Sequence, residues 1–219
     1  MAQALIFDIG GVLAHDVWEH LLLDEKEGVV SKLGLDTEEV RGVAKRLWDE
    51  FAHRPPGAAE GWEGLEREYW EGFIRHLRLP TPADYFINLT DSFIRPVPGM
   101  LELLERLHDR GVRLAICSNN TEFWFSRQTR KLGLGRFFQP RHVILSSRVG
   151  ASKSSPDFEM FNAVTAALEV DESDCIFVDD REETIARAVE FGMTGIIFPS
   201  HSEHGARYLD ALLRRMNVL

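Results

Sequence analysis

Hydrophobic periodicity divides the chain into one part with a regular β/α rhythm and one part without it. Five short runs, at residues 4–7, 112–117, 142–145, 175–178 and 195–198, are almost continuously apolar, as strands buried on both faces of a parallel sheet must be. Between the later runs the apolar period becomes that of a helix. Met100, Leu103, Leu104 and Leu107 recur at i, i+3, i+4, i+7, as do Ile185, Ala188, Val189 and Gly192, and again Leu209, Leu212, Leu213 and Met216. Pro98 and Gly99 mark the start of the first of these helices and Gly111 its end. Strands alternating with helices imply right-handed βαβ crossovers, so the expected class is α/β with a doubly wound parallel sheet.

Residues 15–95 lack that rhythm. They carry helical periods and no strand pattern, which predicts an inserted all-helical subdomain between two parts of the sheet domain, residues 1–14 and 96–219. Val40, Val43, Ala44, Leu47 and Phe51 form one clear amphipathic face. After it, the stretch "AHRPPGAAEGWEG" at 52–64 reads as a Pro- and Gly-rich loop carrying His53, Arg54 and Trp62.

Composition narrows the partners. Of 219 residues, 44% are hydrophobic, enough for a sizeable core, and 25 basic against 35 acidic residues give a net charge of −10. That balance argues against nucleic acid as a partner. No apolar run approaches the ~18 residues of a membrane span, and Asp8 interrupts the only hydrophobic run near the start, so neither a span nor a secretory signal is expected. Cys117 and Cys175 fall inside strand runs and read as buried, inert thiols. The expected setting is cytoplasmic, with monomer and homodimer both open.

Open α/β sheets bind ligands outside the carboxyl ends of their strands. Here those ends carry related chemistry. "FDIGGVL" ends the first strand on Asp8, "AICSNN" ends the second on Ser118 and Asn119, and "IFVDDREE" ends the fourth on Asp179 and Asp180. Before the fourth, "GASKSSPDF" places Lys153 ahead of a helix whose start is signalled by Ser155 and Pro156. Three carboxylates converging on one crevice repel unless a cation lies among them, and oxygen-only ligands favour Mg²⁺. Adding an amine and a hydroxyl makes a set suited to phosphoryl transfer.

The four motifs, in this order and with a helical insertion after the first, resemble the haloacid dehalogenase superfamily with a helical cap. "PVPGMLELLERLHDRG" before the second motif and "AVEFGMTGIIF" after the fourth agree with it. The first motif most resembles the DxGG-type members, which are mainly sugar-phosphate phosphatases and related hydrolases. The resemblance implies that Asp8 attacks phosphorus and becomes an aspartyl-phosphate, that Ser118 and the Asn119 backbone hold the transferring group, and that Lys153 neutralises it. It also implies that Asp8, Asp180 and the carbonyl of Gly10 bind Mg²⁺, with Asp179 beside them. His53, Arg54 and Trp62 are then the expected substrate-binding residues of the cap, facing the crevice.

One departure concerns Gly10, where typical phosphatases of that superfamily carry the aspartate that protonates the leaving oxygen. His15 and Asp16 are the candidate substitutes. The expected activity is a Mg²⁺-dependent phosphatase acting on a small phosphorylated metabolite. The alternatives are a 2-haloacid dehalogenase, in which the same Asp displaces halide, and a regulatory phospho-ligand binder weakened by Gly10.

Overall fold

The computed structural model describes residues 4–54, 61–200, 202 and 204–219. Each of the five apolar runs becomes a strand, β1 (Ala4–Phe7), β2 (Arg113–Ser118), β3 (Val143–Leu145), β4 (Cys175–Asp179) and β5 (Thr194–Ile197), all in one parallel sheet of order β3-β2-β1-β4-β5. From the central β1 the chain winds outward through β2 and β3, then returns to the other side of β1 for β4 and β5. β2 and β4 run one residue beyond their apolar stretches, because Ser118 still pairs with Leu145 and Asp179 with Ile197. The residues that end the apolar pattern are therefore the last rungs of the ladder.

Alternation along the central strands splits the core in two. Leu5, Phe7, Leu114, Ile116, Ile176 and Val178 face one hydrophobic cluster, while Ala4, Ile6, Ala115, Cys117, Cys175 and Phe177 face the other. Both cysteines are buried and free, and burial pushes the Cys117 thiol up to about 12, in keeping with an inert role.

Between β1 and Pro96 the described residues form helices α1 (Val17–Leu23), α2 (Val29–Leu33), α3 (Thr37–Phe51), α4 (Gly61–Leu77) and α5 (Ala83–Phe93). Asp36 caps α3 by accepting the Glu39 N–H at 2.8 Å, and the expected face of Val40, Val43, Ala44, Leu47 and Phe51 is buried. The two crossings to the sheet lie side by side: Ala14 bridges Pro96, His15 N–H donates to Arg95 C=O, and Val97 N–H donates to Leu13 C=O.

The rest of the chain adds α6 (Met100–Asp109), α7 (Glu122–Leu132), α8 (Ser146–Val149), α9 (Glu159–Leu168), α10 (Glu182–Phe191) and α11 (Gly205–Arg215). The helical insertion does not stand apart from this part, since one hydrophobic cluster runs from a sheet face through α7 into it. Trp48 stacks on Trp124 at 5.2 Å between ring centroids, and Tyr69 packs against Phe123 and Trp124. Beside these rings, Arg127 pairs with the buried Glu66 at 2.9 Å and with Asp91 at 2.8 Å.

Four local expectations change. The 52–64 loop is shorter, because Gly61 already opens α4 and both Trp62 and Gly64 are helical; residues 55–60 of that expectation lie outside those described. Val189 is 54% exposed although its spacing fits the apolar face, since α10 lies over the edge strand β5 and only part of its stripe is covered. Gly192 lies past that helix, as its left-handed cap. The helix expected at Ser155 and Pro156 begins at Glu159, because those two residues are used in consecutive turns, closed by Ser155 N–H to Ser152 C=O and by Phe158 N–H to Ser155 C=O.

Candidate active site

Asp8 lies one residue beyond β1, held in the ladder by its N–H bond to Val178 C=O at 3.0 Å, which presents its carboxylate at the sheet's carboxyl edge. The turn that follows folds back at once, with the N–H groups of Val12, Leu13 and Ala14 all directed to Ile9 C=O. Its two glycines have different requirements. Gly11 has φ +74°, and a Cβ there would fall 2.1 Å from Asp180 Oδ2, so both the backbone and the neighbouring carboxylate demand glycine. Gly10 is not left-handed, and a Cβ on it would make only ordinary contact, 3.4 Å from Asp16 Oδ2.

Oxygens of Asp8, Asp179 and Asp180 approach within 4.8 Å of one another, and two of these carboxylates pair with the ammonium of Lys153. Lys153 Nζ lies 2.5 Å from Asp179 Oδ2 and 3.0 Å from Asp8 Oδ1. Burial disfavours the Lys153 ammonium, but the facing carboxylates of Asp8 and Asp179 outweigh that and raise its pKa. Asp179 spends its other oxygen on the Arg181 N–H at 2.9 Å, so both its oxygens are engaged by the protein. Burial raises the Asp180 carboxyl, reinforced by Asp8 and opposed by Ser200. The side chain of Asn119 accepts the Lys153 N–H at 2.9 Å and so fixes the lysine loop. Ser118 is buried at the end of β2 and lines the same crevice.

Above these residues is a cavity of about 410 Å³. The sheet part contributes Asp8, Gly10, Ser118, Asn119 and Lys153, and the helical insertion contributes Asp16, Trp18, Lys45, Trp48, Asp49 and His53. Burial raises the Asp16 carboxyl, while the Glu19 N–H and Arg181 act the other way. His15 does not line the cavity; its ring packs edge-on against His20, and burial together with His20 and Arg95 lowers its pKa.

Of the three cap residues expected at the crevice, only His53 is brought there, and its Nδ1 is buried without a hydrogen-bond partner. Arg54 turns to a bidentate pair with Glu68 of α4, at 2.8 and 2.7 Å, and lies over the Phe51 ring. Trp62, in the first turn of α4, packs on the large hydrophobic cluster instead of the cavity. Their proximity in sequence to His53 did not survive the start of a new helix. Conversely, Trp48, Trp124, Gln128 and Arg181 line the cavity without having been expected there. Trp124 and Gln128 are four residues apart on α7, directly after the "CSNN" strand end, and Arg181 directly follows the acidic pair, so adjacency to a motif was the available signal.

The sequence pattern of haloacid dehalogenase-like hydrolases matches residues 2–192, and the chain belongs to that family of enzymes. It is 27% identical to the phosphatase MT3486 of Mycobacterium tuberculosis over 99% of this chain and 94% of that protein. It is 38% identical to a phosphoglycolate phosphatase of Agrobacterium fabrum over 32% of its own length, and 26% identical to a CBBY-like protein of Arabidopsis thaliana over 91%. The matches span 26% and 64% of those two proteins. Among solved structures, the fold is similar to the family enzyme BT-2542 of Bacteroides thetaiotaomicron in complex with magnesium and inorganic phosphate, with TM-score 0.59, 18% identity and coverage of 92% of this chain and 96% of that one. It is also similar to L-2-haloacid dehalogenase of Xanthobacter autotrophicus with chloropropionic acid covalently bound, with TM-score 0.62, 18% identity and coverage of 100% and 85%.

Proposed function

We propose that the protein is a Mg²⁺-dependent phosphatase that hydrolyses a small phosphorylated metabolite through an aspartyl-phosphate on Asp8. The observation that carries this reading is the convergence of Asp8, Asp179 and Asp180, with the buried Lys153 ammonium 3.0 Å from Asp8 Oδ1 and 2.5 Å from Asp179 Oδ2. A dianionic phosphoryl group adds further negative charge, so the site needs a cation beyond Lys153.

The donor set fits Mg²⁺. Asp8 and Asp180 offer carboxylates and Gly10 a backbone carbonyl, whereas Asp179 is already engaged with Lys153 and the Arg181 N–H and serves to aim the lysine. The ion would neutralise charge on the phosphoryl oxygens. Asp8 supplies the attacking oxygen, Ser118 and the Asn119 backbone hold the phosphoryl oxygens, and Lys153 balances the charge of both nucleophile and phosphoryl group. The helical segment 15–95 acts as a cap, and the cavity size restricts substrates to small molecules. His53 and Trp124, each with a buried and unpartnered ring nitrogen, are the groups that would read the leaving part of the ester. The phosphatases among the relatives support the same reading.

The test is a panel of small phosphate monoesters, with 2-chloropropionate included, assayed with and without Mg²⁺. Mg²⁺-dependent phosphate release that Asp8→Asn abolishes is the expected result. Halide release without phosphate release would instead establish the dehalogenase alternative, and labelling of Asp8 without turnover the regulatory one.

A further inference from the structure

We infer that Asp16, at the junction of the sheet and the helical insertion, is the proton donor to the leaving oxygen and then the base for water, an assignment that rests on the phosphatase reading above. The turn after Asp8 provides no acid of its own, because residue 10 is glycine. The structure fills that position from elsewhere. A Cβ on Gly10 would lie 3.4 Å from Asp16 Oδ2 and 3.7 Å from its Cγ, so the Asp16 carboxyl stands beside the space that a side chain at residue 10 would fill.

The two oxygens of Asp16 are differently used. Oδ1 accepts the Glu19 N–H at 3.1 Å and caps α1, while Oδ2 is the oxygen on the Gly10 side and receives no hydrogen bond among the described residues. Capping alone would account for one oxygen and for an aspartate at this position, but not for a side chain that lines the cavity next to the nucleophile. His15, the neighbouring alternative, is turned away against His20.

The chemistry balances with Asp16 in this role. Asp8 forms a bond to phosphorus as the ester P–O bond breaks, and the leaving oxygen, keeping that electron pair, takes the proton of the Asp16 carboxyl to depart as an alcohol. The Asp16 carboxylate then removes a proton from water as the water oxygen attacks the aspartyl-phosphate, which returns Asp8 as carboxylate and releases phosphate. Asp16 ends protonated, as it began.

Asp16→Asn is the informative variant, since asparagine caps a helix as well as aspartate but has no carboxyl proton to transfer. Phosphorylation of Asp8 should be followed in single turnovers across esters whose leaving groups range from dinitrophenol to simple alcohols, with thermal melting as a check that α1 is kept. The expected loss is about 10²–10⁴-fold for alkyl esters and at least about tenfold smaller for dinitrophenyl phosphate, which departs without a proton. Gly10→Asp added to Asp16→Asn should recover at least about tenfold of the alkyl-ester rate, because φ at residue 10 admits a side chain and the vacated carboxyl is replaced nearby. A loss that is the same for every leaving group, or no loss, overturns the assignment while an active wild type preserves the phosphatase reading. A wild type inert to the whole series overturns both.

Discussion

The floor and the roof of the cavity are built on opposite principles. On the floor, Asp8 and Ser118, with the fully buried Asp179 supporting Lys153 beside them, sit at or just beyond strand ends, and their backbones belong to the parallel ladder or its first extension. Lys153 pairs with Asp8 at 3.0 Å and with Asp179 at 2.5 Å, and all four residues are buried. The roof is made of side chains from helices that reach the sheet through two adjacent crossings, and it is held down by an aromatic stack and by Arg127 rather than by a ladder. The difference separates tasks. On the proposed phosphatase reading, groups that hold an ester in line stand on backbone that hydrogen bonds fix, while groups that select the ester stand on packing that substitution can alter.

The largest effects should come from breaking the floor. Asp8→Asn should bring hydrolysis of an aryl phosphate down to the uncatalysed background, because an amide cannot attack phosphorus; measurable turnover in that variant would remove Asp8 as nucleophile. Asp180→Asn should raise the Mg²⁺ concentration needed for half-maximal rate, with activity recovering at high Mg²⁺, whereas Asp179→Asn should lower the maximal rate by releasing Lys153. An unchanged Mg²⁺ requirement in Asp180→Asn would move the metal to Asp179.

Next comes the contact between roof and floor. Glu66 is 1% exposed, and Glu66→Ala leaves Arg127 in a largely buried place with Asp91 as its remaining partner. Breaking a buried pair costs about 3–5 kcal/mol, and the retained Asp91 contact points to about 3 kcal/mol in urea unfolding. A cost below about 1 kcal/mol would mean that Trp48, Tyr69 and Trp124 hold the two parts together without it. The two glycines give a finer comparison. Gly11→Ala should destabilise by about 1–3 kcal/mol more than Gly10→Ala, since only residue 11 is left-handed and only its Cβ would strike Asp180. Equal costs would show that the turn relaxes out of the left-handed conformation and that Asp180 swings aside.

The smallest effect should be at Arg54. Its pair with Glu68 is exposed, so Arg54→Ala should change stability by about 0–1 kcal/mol. It should also leave the ranking of ester substrates as it was. A changed ranking would restore Arg54 to the cavity wall, from which the Glu68 pairing removes it.

Local pattern in the chain was enough to reveal the sheet and the floor. Two-sided burial in a parallel sheet demands an unbroken apolar run, and each run that serves the site ends where a polar residue must meet solvent or substrate; Asp8, Ser118, Asp179 and Asp180 were legible for that reason. The helical character of the described segments from Val17 to Phe93 was legible too, since a 3.6-residue period is a local property. What lines the roof was not. His53, Arg54 and Trp62 are close in sequence, yet they diverge because α3 ends before them, α4 begins at Gly61, and Glu68 lies within reach of Arg54. Trp48 and Trp124, far apart in sequence, meet because the insertion folds back onto α7. Nor could the sequence tell His15 from Asp16 or Gly10 from Gly11. Side-chain direction at a crossing depends on the partner strand, and the need for glycine depends on φ and on the Asp180 carboxylate 169 residues further along the chain. Such choices are made by contacts between distant segments, which exist only once the chain is folded.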